Sequence, residues 1–296
     1  MKRGWLRWVI VISGGLALLF IVCVGVATIL FGDRDGLSMG EGVGYVEVKG
    51  VIVDGQETVT QLRALEKDDR AKAVVLRIES PGGVVGPSQE IYEQVKKLAA
   101  KKKVVVSMGA VAASGGYYIA APATVIYANP GTITGSIGVL MKFSNVEGLM
   151  GKVGLKAFTL KSGKFKDVGS PVREMTSEER SMLEGVIDST YAQFVRAVAQ
   201  GRRLPEPKVR EVADGRILSG EQALAVKLVD RLGTLQDAIA EAGRLAGIKG
   251  EPELIRPPKK KKGPPWELLV EGAASGLGKL SGSGEGLSVD YRMEGR

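Results

Sequence analysis

The 296-residue chain contains no histidine and a single cysteine. Without imidazole no Ser-His-Asp triad can be assembled, whatever the fold. One cysteine excludes a disulfide within the chain. Cys23 also lies inside an apolar run, so cysteine usage does not identify the compartment. The same shortages remove the usual donor sets for zinc and other transition metals, and no metal or other cofactor is expected. A phosphate-binding P-loop is missing as well, because Gly163-Lys164 has no glycine five residues before it. The net charge of +8 sits at the two ends. Residues 1–8 carry +3, residues 249–262 carry +4 and residues 263–296 carry −2, which leaves the 240 residues between them near balance. No nucleic-acid-binding face is expected from such a distribution.

One long apolar run is present. Val9 to Phe31 is 23 residues without a charge, about 35 Å as a helix and enough to cross a bilayer. Gly25-Val26-Ala27 resembles a small-x-small cleavage site, but the run exceeds the core of an ordinary signal peptide. An uncleaved anchor is expected. Lys2, Arg3 and Arg7 precede it, and Asp33, Asp35 and Glu41 follow. The positive-inside rule then places residues 1–8 in the cytoplasm and everything after residue 31 outside, on an inner or cytoplasmic membrane. Residues 32–42 read as a linker, 43–248 as the folded domain and 249–296 as a basic tail. Pro257-Pro258, four consecutive lysines and a glycine-rich end suggest that the tail is largely disordered.

Within 43–248, β-rich runs alternate with amphipathic stretches, the signature of an α/β fold with parallel pairing. Strands are expected over Val43–Val53, Ala73–Ile78, Val104–Val106 and Thr124–Tyr127, with a further one possible at Leu155–Leu160. Helices are expected over Val59–Lys67 behind a Thr58 cap, over Ser88–Lys101, and from Thr176 to Arg203. Thr176 and Glu179 have the spacing of a capping box, and Met182, Val186, Ile187, Phe194 and Val198 suit a buried face. Residues 207–248 read as further helices.

The chemistry centres on Ser107–Ala121, in which Ser114 stands between a strand and a small-residue helix and Gly115-Gly116 follow it directly. A serine at such a junction can point into a cleft while the next N–H groups point the same way. A small-residue helix packed on a sheet would read similarly. With no histidine, a nucleophilic serine needs another base, and lysine is its known partner. A free lysine, pKa about 10.4, is protonated at neutral pH. Desolvation disfavours the ammonium and can lower a lysine by up to about 3–5 units. Lys161, Lys164 and Lys166 are all candidates on spacing alone.

Four motifs together resemble the signal peptide peptidase A family in its short, single-repeat form. They are Ser80-Pro81-Gly82-Gly83, Ala112–Tyr118, Thr134-Gly135-Ser136-Ile137-Gly138-Val139 and Phe165-Lys166-Asp167, with Gly215-Arg216, Gly220 and Leu228-Val229-Asp230 following in order. The resemblance implies a ClpP/crotonase-like fold and a Ser-Lys protease that clears residual signal peptides. Ser114 would be the nucleophile, Lys166 the base and Ser136 the residue orienting it. Gly115 and either Gly82 or Gly83 would form the oxyanion hole. Apolar walls are expected from Val84, Val85, Ile133, Val139 and Leu140. The family also implies a homo-oligomeric ring in which serine and lysine come from different copies. A related protease with a stomatin-like substrate, a non-catalytic scaffold and an acyl-CoA-binding crotonase remain as other readings.

Overall fold

Runs of β-branched residues make the parallel centre of the domain. The computed structural model describes residues 40–257 and 290–292, plus 14–15 and 18–19 of a separate unit, Met1–Met39. In chain order the elements begin with β1 (Gly42–Lys49), α1 (Gln56–Lys67), β2 (Ala71–Ser80), β3 (Gly82–Val84) and α2 (Val85–Ala99). Then come β4 (Lys103–Ala113), α3 (Gly115–Ala120), β5 (Val125–Ala128), β6 (Ile133–Gly135) and α4 (Glu147–Lys152). The long α5 (Ser177–Arg202) leads to α6 (Glu206–Arg210), β7 (Ile217–Ser219), α7 (Gly220–Ala225) and β8 (Arg231–Leu232). The last elements are α8 (Leu235–Leu245), β9 (Leu254–Ile255) and β10 (Asp290–Arg292).

The main sheet runs β7-β6-β4-β2-β1-β9, with β5 beside β4 and β8 beside β5. All these pairings are parallel except β6–β7. Alternate residues of β2 enter opposite layers, as the pleat requires. Val74, Leu76 and Ile78 join Leu62, Leu65, Ile91, Leu98 and Phe194 on one face. Ala73 and Val75 join Tyr45, Val105, Ile239 and Ala242 on the other, beneath α8. A parallel sheet covered on both faces explains why its strands read as unbroken apolar runs.

One strand positions the site. The first part of β4, Val105–Met108, pairs with β5, whereas Val111–Ala113 pairs with β6. Its end therefore opens away from β5, and Ser114 follows at the mouth.

Several sequence expectations shift. Helix α1 starts at Gln56 with Gly55 as its cap, so Thr58 is interior to it. Helix α2 starts at Val85, with Pro87 tolerated in its first turn. The Thr176–Glu179 capping box forms as expected. The expected apolar face of α5 is buried unevenly: Phe194 and Val198 are fully covered, whereas Val186 is 43 % exposed. Leu155–Leu160 is not a strand, and it leaves Phe158 88 % exposed. Two strands arise beyond residue 249, where none was expected: β9 extends the main sheet beside β1, and β10 pairs with β3. The expected membrane span at 9–31 lies outside the described residues apart from 14–15 and 18–19, which are helical. Among the described residues no helix is long and apolar enough to cross a membrane.

Candidate active site

Ser114 joins β4 to α3 in a conformation that few non-glycine residues adopt, φ 53°, ψ −117°. Strain of this kind costs on the order of 1–3 kcal/mol and persists only where the surroundings hold it. Here its N–H donates to Gly135 O at 2.9 Å and its carbonyl accepts from Tyr118 N at 2.8 Å. Helix α3 behind it is wholly buried, with Tyr117 Oη donating to Leu228 O at 2.8 Å. Gly116 must be glycine, since a Cβ there would lie 2.7 Å from Ser80 O. Ser114 itself is 1 % exposed.

Ser136 is also left-handed, φ 51°, and its N–H donates to Arg216 O at 2.8 Å. That turn is stiffened by Asp214, whose carboxylate is held at about 2 by its hydrogen bonds to the Arg216 side chain and N–H. Both serines open onto one cleft of about 410 Å³, with Gly138, Val139, Leu140, Ile187, Asp188, Tyr191 and the 213–215 turn as its walls. Neither hydroxyl has a hydrogen-bond partner among the described residues.

Strand β3 packs against α3, the helix that follows Ser114. Gly82 O accepts from Ile52 N and Val84 N donates to Ile52 O, at 2.9 and 2.7 Å. Strand alternation then turns the Gly83 N–H and C=O to the opposite edge. That edge carries β10 in antiparallel register, Tyr291 opposite Gly83. A Cβ on Gly83 would lie 2.1 Å from Ile52 O, so only glycine fits. The Gly82 N–H is not turned to this edge, because it donates to Ser80 Oγ at 3.1 Å. Of the two glycines, Gly83 is the one with a donor facing the groove. The first N–H groups of α3, Gly115 foremost, are free of helical partners by their position.

The expected apolar walls divide. Val139 and Leu140 line the cleft, and Val84, which does not, is on β3 opposite Asp290. Val85 does not line it: as the first residue of α2 it is packed into the core. Ile133 lies on β6 between Val111 and Ser219 and is not part of the cleft. The Ile187, Asp188 and Tyr191 wall was missed, because helical periodicity marks an apolar face without saying what faces it.

Lys166 is not with Ser114. It is exposed, on a turn where its N–H donates to Gly163 O at 3.1 Å, and it lines none of the cleft in its own chain. Its neighbours are engaged. Lys161 pairs with Asp167, and Lys164 pairs with Glu178. Of these three lysines, Lys166 alone has no ion-pair partner among the described residues.

The sequence model of peptidase family S49 matches residues 96–249, spanning β4, both serines, Lys166 and α5. The chain belongs to peptidase family S49. A Clp protease model matches residues 50–131, in agreement with the α/β core just described. A Synechocystis protein named as a protease is 49 % identical over 73 % of this chain and 80 % of its own length. An Enterococcus faecium protein named as a signal peptide peptidase, SppA, is 38 % identical over 66 % of this chain and 60 % of its own length. The chloroplastic serine protease SPPA of Arabidopsis thaliana is 32 % identical over 83 % of this chain, which spans 35 % of it. The S49 chain is thus a serine peptidase of the signal peptide peptidase A type, and the scaffold and acyl-CoA readings fall away.

Proposed function

We propose that this S49 chain is a membrane-anchored endopeptidase that cuts residual signal peptides with a Ser114–Lys166 dyad completed between neighbouring copies. One observation carries the reading: Ser114 is held strained at a cleft with Ser136, while the unpaired Lys166 stands exposed outside it. Lys161 and Lys164 are each engaged by a carboxylate of their own chain, Asp167 and Glu178, which argues against either as the base. The arm from residue 146 to 160 also leaves Val153, Phe158 and Leu160 exposed, apolar surface suited to covering by a second subunit. A head-to-tail ring would bring Lys166 of one copy to Ser114 of the next.

In the reaction, Ser114 Oγ attacks the substrate carbonyl and its proton passes to the neutral Lys166 amine, which Ser136 orients. The oxyanion forms against the Gly115 and Gly83 N–H groups; each such donor is typically worth about 10²–10³ in rate. Collapse transfers the proton from the ammonium to the leaving amine and leaves an acyl-serine. Water, deprotonated by the same amine, then releases the acid and restores the hydroxyl.

The seat of β10 on β3 supports peptide binding by strand addition. Val139, Leu140, Ile187 and Tyr191 supply apolar walls suited to signal-peptide segments. The uncharged run Val9–Phe31 and the name of the Enterococcus relative support the membrane setting and the substrate. Peptide hydrolysis tests the reading. Ser114→Ala and Lys166→Ala each abolish cleavage with the fold intact, and Lys164→Ala keeps most of it. An inactive Lys164→Ala beside an active Lys166→Ala would refute the base assignment. Mixing the two inactive forms after dissociation restores activity when the dyad spans subunits. Inert mixed oligomers would place the dyad within one chain.

A further inference from the structure

Arg173 takes no part in the chemistry above, yet it is the most connected side chain of the segment that carries Lys166. Its Nε donates to Asp167 Oδ2 at 2.9 Å, and Nη2 donates to the main-chain oxygen of Asp167 at 3.2 Å. Nη1 donates to Glu179 Oε2 and to Glu174 O, each at 2.9 Å, and Nη2 closes a second bond to Glu179 Oε1. Asp167 directly follows Lys166 and is held from its other oxygen by Lys161. Glu179 sits in the first turn of α5, with its side chain 4 % exposed. Its carboxylate also accepts the Thr176 N–H at 2.9 Å in the capping box. The far half of α5 is packed in the core through Phe194, Val195 and Val198.

The chain of contacts therefore runs from the core, along α5, through Glu179 and Arg173, to the peptide next to Lys166. A guanidinium is suited to it, because its planar fork engages two carboxylates and two carbonyls at once; an ammonium is a point donor. Such a brace matters most for a side chain that must reach outside its own subunit. No contact within its own cleft holds it there, so its aim depends on the turn.

We propose that Arg173 is a positioning residue: by clamping Asp167 to Glu179 it fixes the direction in which Lys166 leaves its own chain. The inference rests on Lys166 being the base. Misplacing a reacting group by about 1 Å can cost around 10²-fold in rate. Arg173→Met should therefore lower kcat by about 10- to 100-fold with KM within about twofold, since the groove walls and β3 are untouched. Arg173→Lys, which keeps the charge and one bond, should recover part of the loss. An unchanged kcat in Arg173→Met refutes the proposal.

A brace for Lys166 can be told from a general contribution to folding by mixing inactive chains. The reference mixture is Ser114→Ala with Lys166→Ala. When Arg173→Met is added to the Ser114→Ala chain, which donates Lys166, the regained activity should fall about 10- to 100-fold. When it is added instead to the Lys166→Ala chain, which donates Ser114, the regained activity should stay within about twofold. Equal losses in both mixtures, or no loss in either, overturn the proposal. An inert reference mixture would refute the subunit-spanning dyad instead, and the kcat and KM of homogeneous Arg173→Met and Arg173→Lys would still decide whether Arg173 positions the lysine.

Discussion

Gly83→Ala is the sharpest test of the groove, because the structure sets its size. The new methyl would stand 2.1 Å from Ile52 O and 2.6 Å from Ile52 N, where real Cβ contacts do not come under 3.0 Å. Both neighbours are main-chain atoms, so no side-chain rotation relieves the clash. Either β3 or the Ile52 segment must move by several tenths of an ångström at least. The bonds from Ile52 N to Gly82 O and from Val84 N to Ile52 O lie on that edge and must stretch. The sheet beneath need not move, since β3 belongs to a separate two-stranded pairing with β10. Overpacking of this kind costs about 1–3 kcal/mol, which a domain with both sheet faces covered should survive. The donor at residue 83 is displaced from the groove, and loss of one oxyanion donor costs about 10²–10³ in kcat. The assay is kcat on a fluorogenic apolar peptide, beside the melting temperature of the same protein. A Gly83→Ala enzyme that is folded and within about threefold of the parent in kcat would refute the oxyanion role given to this edge.

Other expected outcomes follow from individual contacts. Truncation after residue 257 removes β10, so the Gly83 amide, which strand alternation turns toward it, should exchange its hydrogen faster than in the parent; an unchanged rate refutes the pairing. Tyr117→Phe leaves Leu228 O without its buried donor. That loss should cost about 1–3 kcal/mol, read as a lower melting temperature with kcat little changed. Glu179 is held at about 2, below its ordinary 4.5, by Arg173 first and then by the Thr176 N–H. A depressed carboxylate contributes stability fully above its unfolded value and loses it as pH falls toward the folded one. Melting temperature should therefore drop between about pH 4.5 and 2, and Glu179→Gln should flatten part of that acid limb. A variant with an unaltered acid limb would show that Glu179 is not among the groups responsible.

Much of the core was legible because a parallel sheet buried on both faces writes itself as apolar runs: Ala73–Ile78 and Val104–Val106 could be little else. The capping box at Thr176 was equally legible, since it rests on two residues three apart. Ser114 stood out through its glycines and its place after a strand. What failed was decided over distance. Val85 reads like a groove residue but enters the core, because α2 begins three residues earlier than its cap chemistry suggests. Val186 and Phe194 share one helix and similar hydrophobicity, yet only Phe194 enters the core, where it meets the Tyr118 ring of α3. Two-residue β9 is stabilised by the edge of β1, a partner 211 residues away, and its own sequence carries little signal. Spacing alone left Lys161, Lys164 and Lys166 level, and only the resemblance of Phe165-Lys166-Asp167 to the family's pattern singled out Lys166; the pairing of the first two with Asp167 and Glu178 is written in the fold, not in the spacing. Arg173 was invisible for the same reason: its worth lies in three partners, none adjacent in a recognisable pattern.

The arrangement of the two halves of the site has a consequence for control. Ser114 is fixed by the sheet itself, through Gly135 on β6 and the buried α3, so its strain is present in every copy. Lys166 is carried on a segment whose order comes from ion pairs, Lys161 and Arg173 on Asp167 and Arg173 on Glu179. On the subunit-spanning reading a single copy is a strained serine without a base, and assembly supplies the base rather than the nucleophile. Dilution should then remove activity before it removes fold, with kcat per chain falling as protein concentration drops while the circular dichroism spectrum holds. The ion pairs that hold the lysine segment are partly exposed and weaken with salt, whereas the contacts that hold Ser114 do not. High salt should accordingly lower kcat more than it lowers the melting temperature. Activity per chain that is constant under both dilution and salt would mean that serine and lysine meet within one copy after all, by a movement of the 161–175 segment.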